Sequence, residues 1–342
     1  MSFPLDAVVA ADPRSKGDVE PLVRLAKGDM AAVDALIIAR MQSQVPVIPL
    51  LADHLVSAGG KRLRPLLTLA SARASGATGE ITAAVKLAAA VEFIHTATLL
   101  HDDIVDASDL RRGKTAAHLI WGAPSSVLVG DFLFARAFEL MVETGQMRAL
   151  GILARASSVI AEGEVLQLTR AHDLNLDQET YLRIISAKTA ELFAAAAESG
   201  AVGAGAGEAA VQALRDYGLN LGLAFQLADD ALDYGGLSED LGKNAGDDFR
   251  EGKVTMPLLV AAARTRGRED AFWDRTINKG QRNEDDFRRA RELVIGSGAV
   301  GATLATAYEY ADAAKASLAG LPPGEWVDAL EQLADFAVSR AA

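Results

Sequence analysis

Residues 91–106, VEFIHTATLLHDDIVD, carry apolar side chains at helical spacing straight into three aspartates. Residues four apart on a helix share a face, so Asp102 and Asp106 project together and Asp103 lies about 100° around. Residues 218–233, GLNLGLAFQLADDALD, repeat the arrangement with Asp229, Asp230 and Asp233. A single D-D-x-x-D is most often a solvated acidic face. Here Leu99, Leu100, Ile104 and Val105 flank the first cluster, and Phe225, Leu227, Ala228 and Leu232 flank the second, so each acidic strip borders a core-facing surface. Carboxylates gathered there repel one another and raise one another's pKa unless cations join them. Oxygen ligands without His or Cys suit Mg²⁺, which binds through one or two carboxylates plus substrate phosphates. The implied ligand is a polyphosphate. The spacing belongs to helix faces and lacks the glycine and distal glutamate of a calcium loop.

The rest of the chain reads the same way. Half of its 342 residues are apolar, aromatics make up only 6%, and Ala and Leu supply much of the apolar content, which favours closely packed helices. Strand signals are scarce, and helical spacing recurs nearly throughout, as in Leu66, Leu67, Ala70 and Ala74. The expectation is an all-α protein of roughly ten or more helices in a single domain over residues 1–342, since no composition shift marks a boundary. Turn signals fall near 57–65, 74–80, 121–126, 171–177, 203–208, 234–248 and 319–325. A formal charge of −12 argues against nucleic acid as a partner. The absence of cysteine excludes disulfides and thiolate metal sites and is compatible with a reducing cytoplasm. The first residues, MSFPLDAVVAADPRSKGD, lack the pattern of a secretory signal. The longest runs without charge, 115–130 and 293–308, contain glycine and fall short of the roughly 18 apolar residues of a membrane span. No transmembrane segment is expected, which leaves peripheral contact with a membrane surface.

Cations answer the acids. GGKRLRP at 59–65 sets Lys61, Arg62 and Arg64 beside two glycines, and Pro65 favours an extended or turning backbone at Arg64. A glycine turn that opens a helix with three cations is a candidate diphosphate cradle; alone it reads equally as an exposed basic helix start. Arg111 and Arg112 in SDLRRGK repeat the theme, and Lys188, Lys243 and Lys253 sit near polar turns. Each lysine alone would be a surface residue. In an acidic protein, basic and acidic motifs recurring together suggest a site that binds phosphate directly on one side and through metal on the other. His95, two turns before Asp102, is either a phosphate donor or a core histidine. His95 and His101 are six apart and make no zinc pair, and no Ser-His-Asp spacing is present.

Together GGKRLRP, EFIHTATLLHDDIVD, RRG, VLVGDFL, AKTAELF, FQLADDALD and GDDFREGKVTMP resemble the trans-isoprenyl diphosphate synthases, over roughly residues 55–260 and more weakly beyond. Around the first cluster the wording is most similar to the long-chain, octaprenyl and decaprenyl type of quinone biosynthesis. The resemblance implies a homodimer of all-α subunits, each enclosing a deep cavity with the two acidic motifs facing across its mouth. By position, Asp102, Asp106 and Asp229 would ligate Mg²⁺, three ions per site, with Asp103, Asp230 and Asp233 as further ligands or their partners. Lys61, Arg64, His95 and Arg112 match positions that hold isopentenyl diphosphate. Arg111, Lys188, Thr189, Gln226 and Lys243 match those around the allylic diphosphate, farnesyl or geranylgeranyl, and Lys253 matches a further phosphate-facing lysine. Ala97 and Thr98 are small where short-chain synthases often carry an aromatic, which implies a long product of about C40–C50. Phe93, Phe132, Phe134 and Phe138 are candidates for a deeper floor. The readings set against this one are a C15–C20 synthase, a terpene cyclase or head-to-head synthase, which has no need of Lys61, Arg64 and His95, and a non-catalytic subunit of a heteromeric synthase, which would usually have lost its acidic motifs.

Overall fold

The structure, a computed structural model, describes residues 17–57, 62–111, 113–235 and 246–340. Lys61, Arg112 and Lys243 lie outside the described residues.

The chain is all-α, as expected. Its helices are α1 (Glu20–Arg40), α2 (Val47–Ser57), α3 (Leu63–Ala74), α4 (Thr82–Val105), α5 (Ala117–Trp121), α6 (Ala123–Glu143), α7 (Met147–Arg170) and α8 (Gln178–Ile185), then a π-helical turn (Ser186–Ala190) leading into α9 (Glu191–Gly203). They continue with α10 (Glu208–Gly235), α11 (Asp247–Glu251), α12 (Met256–Arg264), α13 (Asp270–Trp273), α14 (Glu284–Gly296), α15 (Ala299–Ser317) and α16 (Glu325–Ser339). Among the described residues the sheet is limited to an antiparallel pair, β1 (Leu110–Arg111) with β2 (Lys114–Thr115).

Two long helices organise the core. α10 packs against α9, α12, α15 and α16, and α4 packs against α1, α3, α6 and α9. The first half of α4 is buried on more than one side through Ala84, Leu87, Ala88, Ala89, Ala90 and Val91, because neighbours surround it and a single apolar stripe would not suffice. By length and composition α4 could cross a membrane, yet 56% of that apolar window is buried inside the protein. It is the core helix that carries the first acidic motif.

The turn signals mark real breaks: 74–80 separates α3 from α4, 171–177 fills the gap between α7 and α8, and 203–208 parts α9 from α10. One expectation is corrected. Arg64 is not extended; it lies in the first turn of α3, with Arg62 as the N-cap in a left-handed conformation, φ 44°. First-turn N–H groups have no helical partner, so Pro65 costs no hydrogen bond there.

Two glycines set distances that the site depends on. A Cβ on Gly222 of α10 would lie 2.5 Å from the Ala190 Cα, so only glycine lets α10 approach the π-helical turn that holds Lys188 and Thr189. A Cβ on Gly163 of α7 would lie 2.7 Å from the Ala187 Cβ, closing the same turn from the other side. Gly222→Ala is expected to cost about 1–3 kcal/mol through overpacking and to lower turnover, which thermal melts and an activity assay would measure; wild-type Tm and rate would contradict the close-approach reading.

Candidate active site

The two acidic motifs sit at the C-terminal ends of α4 and α10 and line one cavity of about 670 Å³. Asp102 and Asp106 reach it from α4, and Asp229, Asp230 and Asp233 from α10. Arg64, His95, Thr98, Arg111, Lys188, Thr189, Gln226 and Lys253 also line it. The structure therefore gathers the described candidates from six separate stretches of chain, leaving Asp103 and Ala97 behind the wall.

Asp103 is buried, and the β1–β2 hairpin folds Arg111 back onto it, with Arg111 Nε donating to Oδ1 at 2.7 Å. Asp106 accepts from Lys253 Nζ at 2.8 Å, and the same ammonium pairs with Glu251 at 2.6 Å. Burial would lower the Lys253 ammonium, but the charges of Asp106, Glu251 and Asp248 outweigh it and hold the group above its ordinary value. Asp233 accepts the Gly246 N–H at 3.1 Å, which joins the end of α10 to the start of α11. Asp229 faces Arg340, whose Nη2 lies 3.5 Å away while its guanidinium stacks 3.8 Å from the Phe225 ring centroid. Burial pushes Arg340 below its usual value, partly offset by Asp229.

The basic candidates fall into two groups. Arg64 Nη1 lies 3.2 Å from His95 Nε2, and its guanidinium covers the Phe193 ring at 4.4 Å. The π-helical turn, a form that recurs at functional sites, separates Lys188 from Thr189. Lys188 Nζ donates to Glu164 Oε2 and Gln167 Oε1, both at 2.9 Å. Thr189 Oγ1 donates to Gln226 Oε1 at 2.8 Å, and Gln226 Nε2 donates to Asp230 Oδ1 at 2.7 Å.

The helix face separates the two chain-length candidates. Thr98 and Leu99 line the cavity with Asp102, whereas Ala97 is fully buried in the core. Five residues turn a helix by about 140° from Asp102, four by only about 40°. The floor candidates lie elsewhere: none of the four lines this cavity. Phe93 is buried in the core, Phe132 carries Arg136 at 4.8 Å, Phe134 stacks on His101 at 6.2 Å, and Phe138 is exposed.

Comparison with known proteins places this geometry. The polyprenyl synthetase family model matches residues 45–294. The octaprenyl diphosphate synthase of Escherichia coli is 45% identical over 323 residues, 94% of this chain and 99% of the relative. A polyprenyl synthase from Caulobacter crescentus, solved with calcium and isoprenyl diphosphate, is 70% identical with a TM-score of 0.94, covering 96% of this chain and all of the other. A decaprenyl diphosphate synthase from Rhodobacter capsulatus superposes with a TM-score of 0.90 at 53% identity, over 95% of this chain and all of that one. The chain belongs to the polyprenyl synthetase family.

As a polyprenyl synthetase the chain is an enzyme, and its cavity contains more acid than the two motifs supply. Asp109, Glu164, Asp247, Asp248 and Glu251 join the five motif aspartates that reach it, so that ten Asp or Glu and six Lys or Arg side chains line it among the described residues. That excess suits cations. Among the described residues no three Asp, Glu or His side chains converge enough to hold an ion alone. Asp103 Oδ2 is buried without a hydrogen-bond partner among the described residues, while Oδ1 takes Arg111.

Glu164 and Gln167 have a faint sequence signal, two polar residues three apart on a largely apolar helix face. Tyr181 and Arg340 have none, because their partners are 49 and 111 residues away.

Burial, with added repulsion from Glu164 and Asp106 against the attraction of Lys188, pushes the Asp102 carboxyl up to about 6. A carboxyl that binds its proton more tightly when folded loses stability as pH rises from its unfolded value to its folded one. Asp102→Asn is therefore expected to raise the Tm of metal-free protein near pH 7.5, with the gain fading toward about pH 4. Melts in chelator at both pH values check this, and a lower Tm at the higher pH would contradict it.

Proposed function

We propose that the chain is a long-chain, all-trans polyprenyl diphosphate synthase. It condenses isopentenyl diphosphate repeatedly onto farnesyl or geranylgeranyl diphosphate to about C40–C50, for the side chain of a quinone. The observation that carries this reading is the single cavity in which two acidic motifs, the Lys188–Thr189 turn with Gln226, and the Arg64–His95 pair meet an apolar wall that includes Leu99, Ile160 and Ile185. The octaprenyl and decaprenyl relatives support the product class.

Asp102, Asp106 and Asp229 would hold Mg²⁺, three ions with substrate bound, and Asp103, Asp230 and Asp233 would bind or brace them. When bound, Mg²⁺ supplies charge that stabilises the departing diphosphate. Arg111, Lys188 and Lys243 hold the allylic diphosphate, Lys253 is a further phosphate-facing lysine, and Lys61, Arg64, His95 and Arg112 hold isopentenyl diphosphate. Lys188 and Lys253 already lie against Glu164 and Asp106, so diphosphate exchanges one anionic partner for another. The allylic carbon–oxygen bond breaks, the isopentenyl double bond attacks the cation, and loss of a proton to the released diphosphate restores a double bond. Thr189 and Gln226 turn oxygen toward the developing cation.

The enzyme would work as a soluble, cytoplasmic homodimer of single-domain subunits, touching membrane only peripherally to release product. The dimer is supported by an exposed apolar stripe on α6, Val127, Leu128, Phe138 and Val142, which fall within an arc of about 100°. Leu119 and Ile120 of α5 are exposed beside it in sequence.

Purified protein incubated with labelled isopentenyl diphosphate, farnesyl diphosphate and Mg²⁺ should yield products of about C40–C50, and product confined to C15–C20 would refute the long-chain reading. In the same assay Thr98→Phe, which adds a ring on the cavity face, should shorten the product. Ala97→Phe enters packed core and should first cost about 1–3 kcal/mol of stability. An unchanged distribution in Thr98→Phe would place the length limit elsewhere.

A further inference from the structure

Among the site residues, Asp230 is set apart. It is 3% exposed, against a partly exposed Asp229 beside it, and both of its oxygens are taken. Oδ1 accepts from Gln226 Nε2 at 2.7 Å, and Oδ2 accepts from the hydroxyl of Tyr181, itself 2% exposed. Tyr181 stands on α8 and lines the cavity. One relay thus joins α8, α10 and the π-helical turn: Tyr181 O–H to Asp230, Gln226 N–H to Asp230, and Thr189 O–H to Gln226.

The direction of that relay has a chemical consequence. A glutamine amide has an oxygen end and an N–H end of similar shape, and its neighbours decide which faces where. Oδ1 of Asp230 takes the N–H end of Gln226, which leaves the amide oxygen for Thr189, and Oδ2 takes the Tyr181 hydroxyl as its donor. Without that donor one buried oxygen of Asp230 loses its partner, which costs more than the bond itself contributes.

We propose that Tyr181 is a positioning residue for prenyl transfer: through Asp230 it fixes the Gln226 amide with its oxygen toward Thr189 and the cavity. The second acidic motif then divides its work, with Asp229 toward metal and Asp230 toward the amide. This rests on the prenyl-transfer reading above. An amide turned the other way would present N–H to a developing cation, in surroundings where water does little to screen it.

The test uses the full chain in two measurements. Single-turnover condensation of farnesyl diphosphate with labelled isopentenyl diphosphate gives the rate of the first transfer and the isopentenyl diphosphate concentration for half-saturation. Mn²⁺ binding, followed by electron paramagnetic resonance with inorganic diphosphate present, reports the metal site without turnover. Tyr181→Phe should slow the transfer by about tenfold or more, leave half-saturation near wild type because Arg64 and His95 are untouched, and leave Mn²⁺ binding unchanged. Gln226→Glu, which removes the N–H end from the other side of Asp230, should show the same split. Asp230→Asn should bind Mn²⁺ within about twofold of wild type while Asp229→Asn binds it at least tenfold more weakly, as expected for lost charge at a metal ligand. Wild-type transfer rates in both Tyr181→Phe and Gln226→Glu would overturn the positioning role alone. Asp230→Asn weakening Mn²⁺ as strongly as Asp229→Asn would return Asp230 to the metal set and overturn the proposal. A wild-type protein that makes no prenyl product would overturn it together with the reaction on which it rests.

Discussion

Repulsion among carboxylates is the constraint on which the site depends. Two helices bring their acidic ends to one cavity, and α7 and α11 add more acid. The structure contains that repulsion with internal cations: Arg111 on Asp103, Lys253 on Asp106, Lys188 on Glu164 and Arg340 on Asp229. Removing one member of such a pair leaves the other charge buried and uncompensated, which costs more than the pair itself contributes. The Asp102 carboxyl is raised to about 6, chiefly by burial and further by Glu164 and Asp106, despite Lys188. Metal and diphosphate entering together satisfy both sides, since the acids gain cations and the lysines and arginines gain an anion.

Packing makes this arrangement rigid enough for chemistry. Gly163 and Gly222 let α7 and α10 close on either side of the π-helical turn, and the turn then splits adjacent residues between two tasks. Lys188 goes to Glu164 and Gln167, and Thr189 to Gln226. An ordinary α-helical turn would leave these two residues about 100° apart on one regular surface. Here the irregular backbone and its glycine neighbours fix where each reaches.

Much of this was legible in the sequence, for a physical reason. A helical period places Asp102 with Asp106 and Asp229 with Asp233 without knowledge of the fold, and glycine-rich turns punctuate the helices where the backbone needs them. What the period does not carry is contact between distant elements. Tyr181 meets Asp230 and Arg340 meets Asp229 only through packing of α8 and α16 on α10. Ala97 and Thr98 lie close together along the helix axis, but rotation turns one into the core and the other to the cavity. The same holds for Pro65, whose extended preference yields to a place in the first turn of α3.

The central claim is that the two acidic motifs and the surrounding cations form one site that takes metal and diphosphate as a unit. Calorimetric titration of Mg²⁺ into the protein, with and without inorganic diphosphate, tests it most directly, because coupling between two ligands is reciprocal. The account predicts that diphosphate tightens Mg²⁺ binding by about tenfold or more and that Mg²⁺ tightens diphosphate by the same factor. Mg²⁺ affinity that does not change with diphosphate would contradict it.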